Sequence, residues 1–441
     1  MTIHKRLERQ TKVIGSGADA TYQWIDHALE APVDHSRPDG ATITVFAREV
    51  FRSGATREGL PMLLYLQGGP GNMADRPNIQ TRWLRRATAD FRVLLLDQRG
   101  TGKSAPVSPS ALIKVGNVAQ QGEYLTNFRA DSIVKDAELF RRSLCGSRKW
   151  FLLGQSFGGW CATTYLSWRP EALDAVFITG GLPSLDATPE DVYRAANIRV
   201  IERNREYFEC FPEDVQRVAL IAEALDASNI RLPQGERLSV QRFQELGMQL
   251  GLTGGFLRVH FLIDLAFEAG SSRPDFGPAF LDAVEVLVSH RTKPLFCLLQ
   301  EAVHCQKRAS RWAAQRVREE FQHDYSDPKA FFGGEMIYPW HFVEDPGLRP
   351  MQEVAEWIAN YVEWPMLYDA SRLASNPVPV FAALYRRDLF VDYTMSHQTL
   401  MRLGSAQSWV SQKLEHDGLR TAPVLDHLMR LWATRHSPQE A

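Results

Sequence analysis

The chain has 441 residues, of which 44% are hydrophobic and 23% charged, enough for one large domain with a smaller one and ordinary for a globular fold. Its formal net charge of -2 gives no reason to expect nucleic acid or an anionic membrane as a partner. Its five cysteines, Cys145, Cys161, Cys210, Cys297 and Cys305, form no C-x-x-C pair, which argues against a disulfide framework and a structural zinc site, and for a reducing cytoplasm.

The opening M-T-I-H-K-R-L-E-R-Q is polar, so no signal peptide is expected, and no apolar run reaches membrane-spanning length. Residues 41–51, A-T-I-T-V-F-A-R-E-V-F, follow the turn signal R-P-D-G and predict a strand. Short unbroken apolar runs follow at 61–66, 91–96, 150–153 and 174–178, and each stops at a polar or glycine-rich segment. Such runs suit a parallel sheet covered on both faces. The stretch 129–144 between two of them reads as a helix, and alternation of this kind predicts an α/β sheet wound with helices on both sides.

From about 185 to 375 the strand runs stop and helical periodicity takes over, as in V-Y-R-A-A-N-I-R-V-I-E-R-N and W-A-A-Q-R-V-R-E-E-F. Strand signal returns at 378–385 and 407–414, and V-L-D-H-L-M-R-L-W closes the chain as a helix. The expectation is one sheet interrupted by a large helical insertion: residues 1–183 and 376–441 form the core, and 184–375 form a cap. Ligands of open α/β sheets bind at the carboxyl edge of the strands, and a cap emerging there covers that edge.

The segment G-Q-S-F-G, residues 154–158, ends one apolar run and precedes a helix-like stretch, the context of a nucleophile elbow. There Ser156 is held in a strained turn above the sheet. Gly154 and Gly158 avoid collisions that a Cβ would cause. The N–H of Phe157, at the helix start, is placed to bind a developing oxyanion. Serine needs a base, and the base an orienting acid, in the chain order Ser, Asp/Glu, His. Asp388 falls just past the strand 378–385, with Asp392 as the fallback. His416 falls in the loop after 407–414, with His427 in the last helix as its competitor. A second oxyanion donor is expected from Q-G-G-P-G, residues 67–71, at the N–H of Gly69 or, alternatively, Gly68. D-Q-R-G-T-G-K-S, residues 97–104, lacks the G-x-x-x-x-G-K-S/T spacing of a phosphate loop, so a nucleotide is not expected. Asp97 and Arg99 are read as braces for the active-site loops.

L-Q-G-G-P-G, D-Q-R-G-T-G-K-S and G-Q-S-F-G-G-W, in this order, resemble the proline iminopeptidase (prolyl aminopeptidase) family of α/β-hydrolases, in its longer-chain branch, over essentially the whole chain. The resemblance implies an α/β-hydrolase fold, a mostly parallel doubly wound sheet, with the cap inserted after the sixth strand. It implies release of N-terminal proline from small peptides, with no metal and no organic cofactor. The family usually carries histidine where this chain has Gln67, a loop-shaping position whose hydrogen bonds Gln67 takes over in this reading. Recognition of the free imino group calls for carboxylates in the cap. L-L-Q-E-A-V-H-C-Q at 298–306 and G-G-E-M-I-Y-P-W at 333–340 resemble the family and offer Glu301 and Glu335, with Glu202 as a third candidate. Tyr338 and Trp340, with Phe157, are candidates to line the pocket for the pyrrolidine ring, with packing inside the cap as the alternative for the first two. Two other functions fit the same residues: an esterase or amidase of different acyl specificity, and a non-catalytic binding protein on this scaffold.

Overall fold

The computed structural model describes residues 22–78 and 81–436. The polar opening residues that bear on the signal-peptide expectation lie outside the described residues. Eight strands form one sheet: β1 Tyr22–Pro32, β2 Thr42–Arg52, β3 Met62–Leu66, β4 Arg92–Leu96, β5 Trp150–Gln155, β6 Leu173–Thr179, β7 Val380–Tyr385 and β8 Ala406–Ser411. Their spatial order is β1-β2-β4-β3-β5-β6-β7-β8. β1 pairs antiparallel with β2, and β2 with β4, whereas every pairing from β4 through β3, β5, β6 and β7 to β8 is parallel.

The apolar runs are buried on both faces because alternate residues feed two different cores. Leu64, Leu66, Leu152 and Ile178 point to one, and Leu63, Tyr65, Leu153 and Phe177 to the other. Helix Ala130–Cys145 packs in the first core and the closing helix Val424–His436 in the second. β1 went unread in the sequence. It is the outer strand of an antiparallel ribbon, and its inward side includes a histidine: His27 Nε2 lies 2.9 Å from the fully buried Glu49.

Among the described residues, no strand interrupts the segment between β6 and β7. This insertion is divided between two cores. Tyr193, Tyr207, Phe243, Ile263, Phe280 and Phe332 build a separate cap core. Leu295–Leu299, Val303, Ile358 and Trp364 instead join the core beneath the sheet. Arg129 ties this second part down: its guanidinium donates to Ala302 O at 2.9 Å, Cys305 O at 2.6 Å and Pro365 O at 3.0 Å, and lies 4.4 Å from the Trp364 ring.

No helix among the described residues is long and apolar enough to cross a membrane.

Arg129→Met keeps the bulk but leaves three buried carbonyls without their donor. Hydrogen bonds to a charged group contribute about 1.5–3 kcal/mol each. The variant is expected to unfold at a lower temperature by several degrees, and proteolysis between 302 and 365 is expected to begin before the rest of the chain is cut. An unchanged thermal midpoint and cleavage pattern would remove Arg129 from this role.

Candidate active site

β5 runs directly into helix Phe157–Trp168 through Ser156, whose backbone is held at φ 53° and ψ -126°. Such a conformation costs a non-glycine residue about 1–3 kcal/mol, and the surrounding backbone enforces it. A Cβ on Gly154 would lie 2.4 Å from Gly158 O, and one on Gly158 would lie 2.0 Å from Leu66 O. Ser156 N donates to Thr179 O at 3.1 Å, and Ser156 O accepts from Gly159 N at 2.7 Å. The helix, β3 and β6 therefore crowd together at this turn, and only glycine lets them do so.

The loop after β7 carries Asp388, and the loop after β8 carries His416. Asp388 Oδ2 lies 2.9 Å from His416 Nδ1, while Oδ1 accepts from Phe390 N at 2.9 Å and Val391 N at 3.1 Å. Both side chains are buried. An ionised Asp388 fixes the proton on Nδ1, which leaves Nε2 as a base. Burial pulls the His416 imidazole down, but the Asp388 charge and hydrogen bond more than offset it, and the net shift is upward. His416 and Ser156 line the same cavity.

Phe157 is the first residue of its helix, so its N–H has no intrahelical acceptor. Gly69 lies beside Ser156 in the lining of two cavities. Gly68 is pressed against the elbow: a Cβ there would lie 2.8 Å from Ser156 Cβ. Gln67 accepts from Tyr65 OH at 2.7 Å through its side chain and from Gln98 Nε2 at 2.8 Å through its carbonyl. The next loop is braced from both ends. Asp97 accepts from Ala74 N, Lys103 N and both terminal nitrogens of Arg76. Arg99 forks onto Asp136 at 2.7 and 2.6 Å.

Ser156 stands between two cavities of different kinds. One is small and lined by Phe157, Trp160, Tyr193, Gln300, Val303, His304, Glu335 and Phe390; it shares Trp160, Val303, His304 and Phe390 with a further cavity that reaches Pro183, Arg199 and Met395. The other, of about 660 Å³, extends over the glycine loop towards Gln249, Leu287, Lys293, Phe296 and Arg420. Glu335 borders both. Burial pushes its carboxyl up to about 7; the Asp388 charge adds to this, while His416 and a hydrogen bond from Gln300 oppose it.

The other candidates take different places. Glu301 is buried with Oε1 accepting from Ala314 N at 2.8 Å, at the start of helix Ala313–Glu320. It lies close enough to raise the phenol of Tyr193, but does not line the cavity beside Ser156. Tyr338 belongs to the cap core, and Trp340 stacks 3.8 Å from His341; neither lines that cavity. Asp392 caps helix Tyr393–Leu400 by accepting from Met395 N at 2.8 Å. His427 stacks on Trp409 with ring centroids 4.2 Å apart. Glu202 pairs with Arg199 at the surface. Gln300, His304, Tyr193 and Trp160 were missed in the sequence. The first two flank Glu301 in the segment singled out there, and a helical step of about 100° per residue decides which of them faces the cavity. His304 is lowered to about 4 by burial, and is therefore neutral at physiological pH.

The residues 61–220 match the family model described as alpha/beta hydrolase fold. A proline iminopeptidase of Aeromonas sobria is 43% identical over 410 residues, covering 92% of this chain and 95% of that protein. A proline iminopeptidase of Aspergillus aculeatus is 34% identical over 418 residues, covering 92% of each. A tripeptidyl aminopeptidase of Streptomyces lividans is 25% identical over 176 residues, 32% of each chain.

If His416 is the base for Ser156, covalent labelling by a fluorophosphonate should be confined to Ser156 and should slow as pH falls through the raised imidazole value. Asp388→Asn, which leaves the wrong tautomer, should slow it by about 10⁴-fold. Labelling of Ser156→Ala, or equal labelling of Asp388→Asn, would dismantle the triad.

Proposed function

The chain belongs to the proline iminopeptidase family of α/β-hydrolases, and from that membership we propose a division of labour among the residues around Ser156. It is a serine aminopeptidase acting on N-terminal proline. The observation that carries the assignment of roles is the position of Ser156 between a small pocket and a larger one, with the half-buried carboxylate of Glu335 at their junction.

The small pocket takes the proline. Its apolar wall of Phe157, Trp160 and Val303 suits the pyrrolidine ring. Glu335 faces the imino nitrogen and marks where the substrate must end. A cation beside Glu335 draws its carboxyl back to the ionised form, and in a site that excludes water that charge-assisted contact is strong and orienting. Gln300 holds the carboxyl, and Glu301 acts one layer further out, holding the start of helix Ala313–Glu320. The remainder of the peptide leaves through the larger cavity.

With the imino group held, Ser156 Oγ attacks the first carbonyl as His416 Nε2 takes its proton. The N–H groups of Phe157 and Gly69 bind the oxygen as it gains charge. His416 then gives the proton to the leaving amine, which departs with the rest of the peptide and leaves a prolyl ester on Ser156. Water, deprotonated by the same imidazole, hydrolyses that ester. The substrates are short peptides with a free N-terminal proline, and the five cysteines, all free, fit a reducing compartment such as the cytoplasm.

Proline arylamide is expected to be cleaved and its N-acetylated form not. Glu335→Gln should lower kcat/KM on the free-amine substrate by about 10²-fold, the effect of truncating one side of a buried charge pair worth about 3 kcal/mol. Both Glu335 and His416 must shed a proton, and both values are raised. Activity therefore rises with pH, and on the acid side the slope of log kcat/KM should approach two in the native enzyme and one in Glu335→Gln. Turnover of the acetylated substrate or of simple acyl esters at comparable rates would keep the triad and sink the clamp.

A further inference from the structure

We propose that the cap holds a binding site for one divalent metal ion of the zinc class, built from Glu245, His290 and His341. These three side chains offer donor atoms within 4.8 Å of one another. They come from distant parts of the insertion: Glu245 follows helix Val240–Gln244, His290 follows helix Pro278–Val288, and His341 opens the short helix His341–Glu344. No short-range motif announces them. The expectation of no metal came from the resemblance, and the cysteine spacing, which argued only against a structural zinc site, is silent about histidine and glutamate donors 45 and 51 positions apart.

The geometry goes beyond three polar residues meeting in a core. Glu245 Oε2 lies 2.8 Å from His290 Nε2, and Oε1 lies 3.4 Å from His341 Nε2. All three side chains are at least nine-tenths buried. Glu245 Oε1 and His341 Nε2 nevertheless have no hydrogen-bond partner, although they face each other. Buried orphan atoms are costly when nothing satisfies them, and one shared cation would satisfy both. Bonds of about 2.0–2.2 Å to a tetrahedral zinc set donors about 3.3 Å apart, in the range of the separations seen here. Two histidines and a glutamate are also an established zinc donor set.

A ligating histidine needs its second nitrogen protonated and donating. His341 Nδ1 accepts from Tyr338 N at 3.0 Å, which leaves the ring proton on Nε2, facing Glu245. Nδ1 also lies 3.2 Å from Tyr338 O, so a metal at Nε2 must displace that proton and turn Nδ1 from accepting to donating towards the carbonyl. The Cys297 sulfur lies close to the His290 ring, which stacks on Phe296 at 6.0 Å. The site would pin three cap segments together. His290 and Phe296 line the larger cavity, and His341 follows Glu335 by six residues, so the ion would stiffen the wall of the substrate cleft without touching the reacting atoms.

The test uses the full chain, stripped with a chelator, loaded with Zn²⁺ and desalted. Elemental analysis should find one zinc per chain, and the thermal midpoint should rise on loading. His341→Gln, which preserves bulk, should weaken zinc binding by at least about tenfold and abolish the thermal shift; Glu245→Gln should do the same, and His341→Gln decides if Glu245→Gln fails to fold. His260→Gln alters a different cluster, Glu213, Asp214 and His260, and should retain the zinc. Cobalt in place of zinc should give visible absorption that His341→Gln removes. A folded native chain that retains no zinc would overturn the proposal and leave a Glu–His ion network. So would zinc retained equally by His341→Gln, or lost from His260→Gln alone.

Discussion

The site depends on how closely three backbones approach one another beneath Ser156. β3, β6 and the helix after β5 meet where Gly154, Gly158 and Gly159 stand, and a Cβ on Gly159 would lie 2.0 Å from Gly181 O. This crowding holds Ser156 at positive φ, because relaxing the turn would push the helix away from the sheet edge. It also brings the loops after β3 and β6 to the serine. The oxyanion donor at Gly69, the strand end at Thr179 and the helix N-terminus are thus set by one packing constraint. The strain at Ser156 is small compared with the burial of Leu66, Phe157, Ile178 and their neighbours around it.

The electrostatics form a second layer. His416 is flanked by two carboxyls with different jobs. Asp388 holds the imidazole through one oxygen and has its second oxygen satisfied by two backbone N–H groups. Glu335 lacks such a set and sits near 7, on the border between the charged and neutral forms. A bound imino cation moves that border. Once it arrives, Glu335 ionises, and a negative Glu335 close to His416 favours the imidazolium that forms as serine attacks. In the proposed reading, binding the correct end of the substrate and raising the basicity of the His416 imidazole are then one electrostatic event. A blocked N-terminus forfeits both.

Much of this was legible in the sequence because it is local. β3 to β7 appear as apolar runs since both their faces are buried, and the elbow appears because glycine is demanded at fixed offsets from Ser156. Asp388 and His416 were readable from their positions just past strand ends. What escaped depends on rotation or on distance. β1 escaped because His27 and charged neighbours interrupt its alternation. In the segment 298–306 the carboxylate of Glu301 drew attention, whereas Gln300 and His304 face the cavity. Tyr338 and Trp340 are close in sequence to Glu335, but they pack into the cap. The division of the insertion between two cores rests on contacts such as Arg129 to Pro365, which no window of sequence contains.

The two cavities explain why such a scaffold acts at a chain end. An endopeptidase needs a long groove on both sides of its nucleophile; here one side is a small pocket bordered by the Glu335 carboxyl. In the proposed reading, a substrate extending beyond its first residue on that side would have to bury a neutral amide against Glu335, which is unfavourable. On the other side the cavity of about 660 Å³ is lined by polar and apolar residues and leaves room for the rest of a peptide. Selectivity is thereby concentrated on one ring and one charge, and the leaving peptide is left largely unread. That asymmetry is built by the cap, since Glu335, Tyr193 and His304 all come from the insertion, whereas the triad comes from the strand ends of the core. The two meet where Glu335 lies close to His416, so the cap must stay registered on the sheet through anchors such as Arg129.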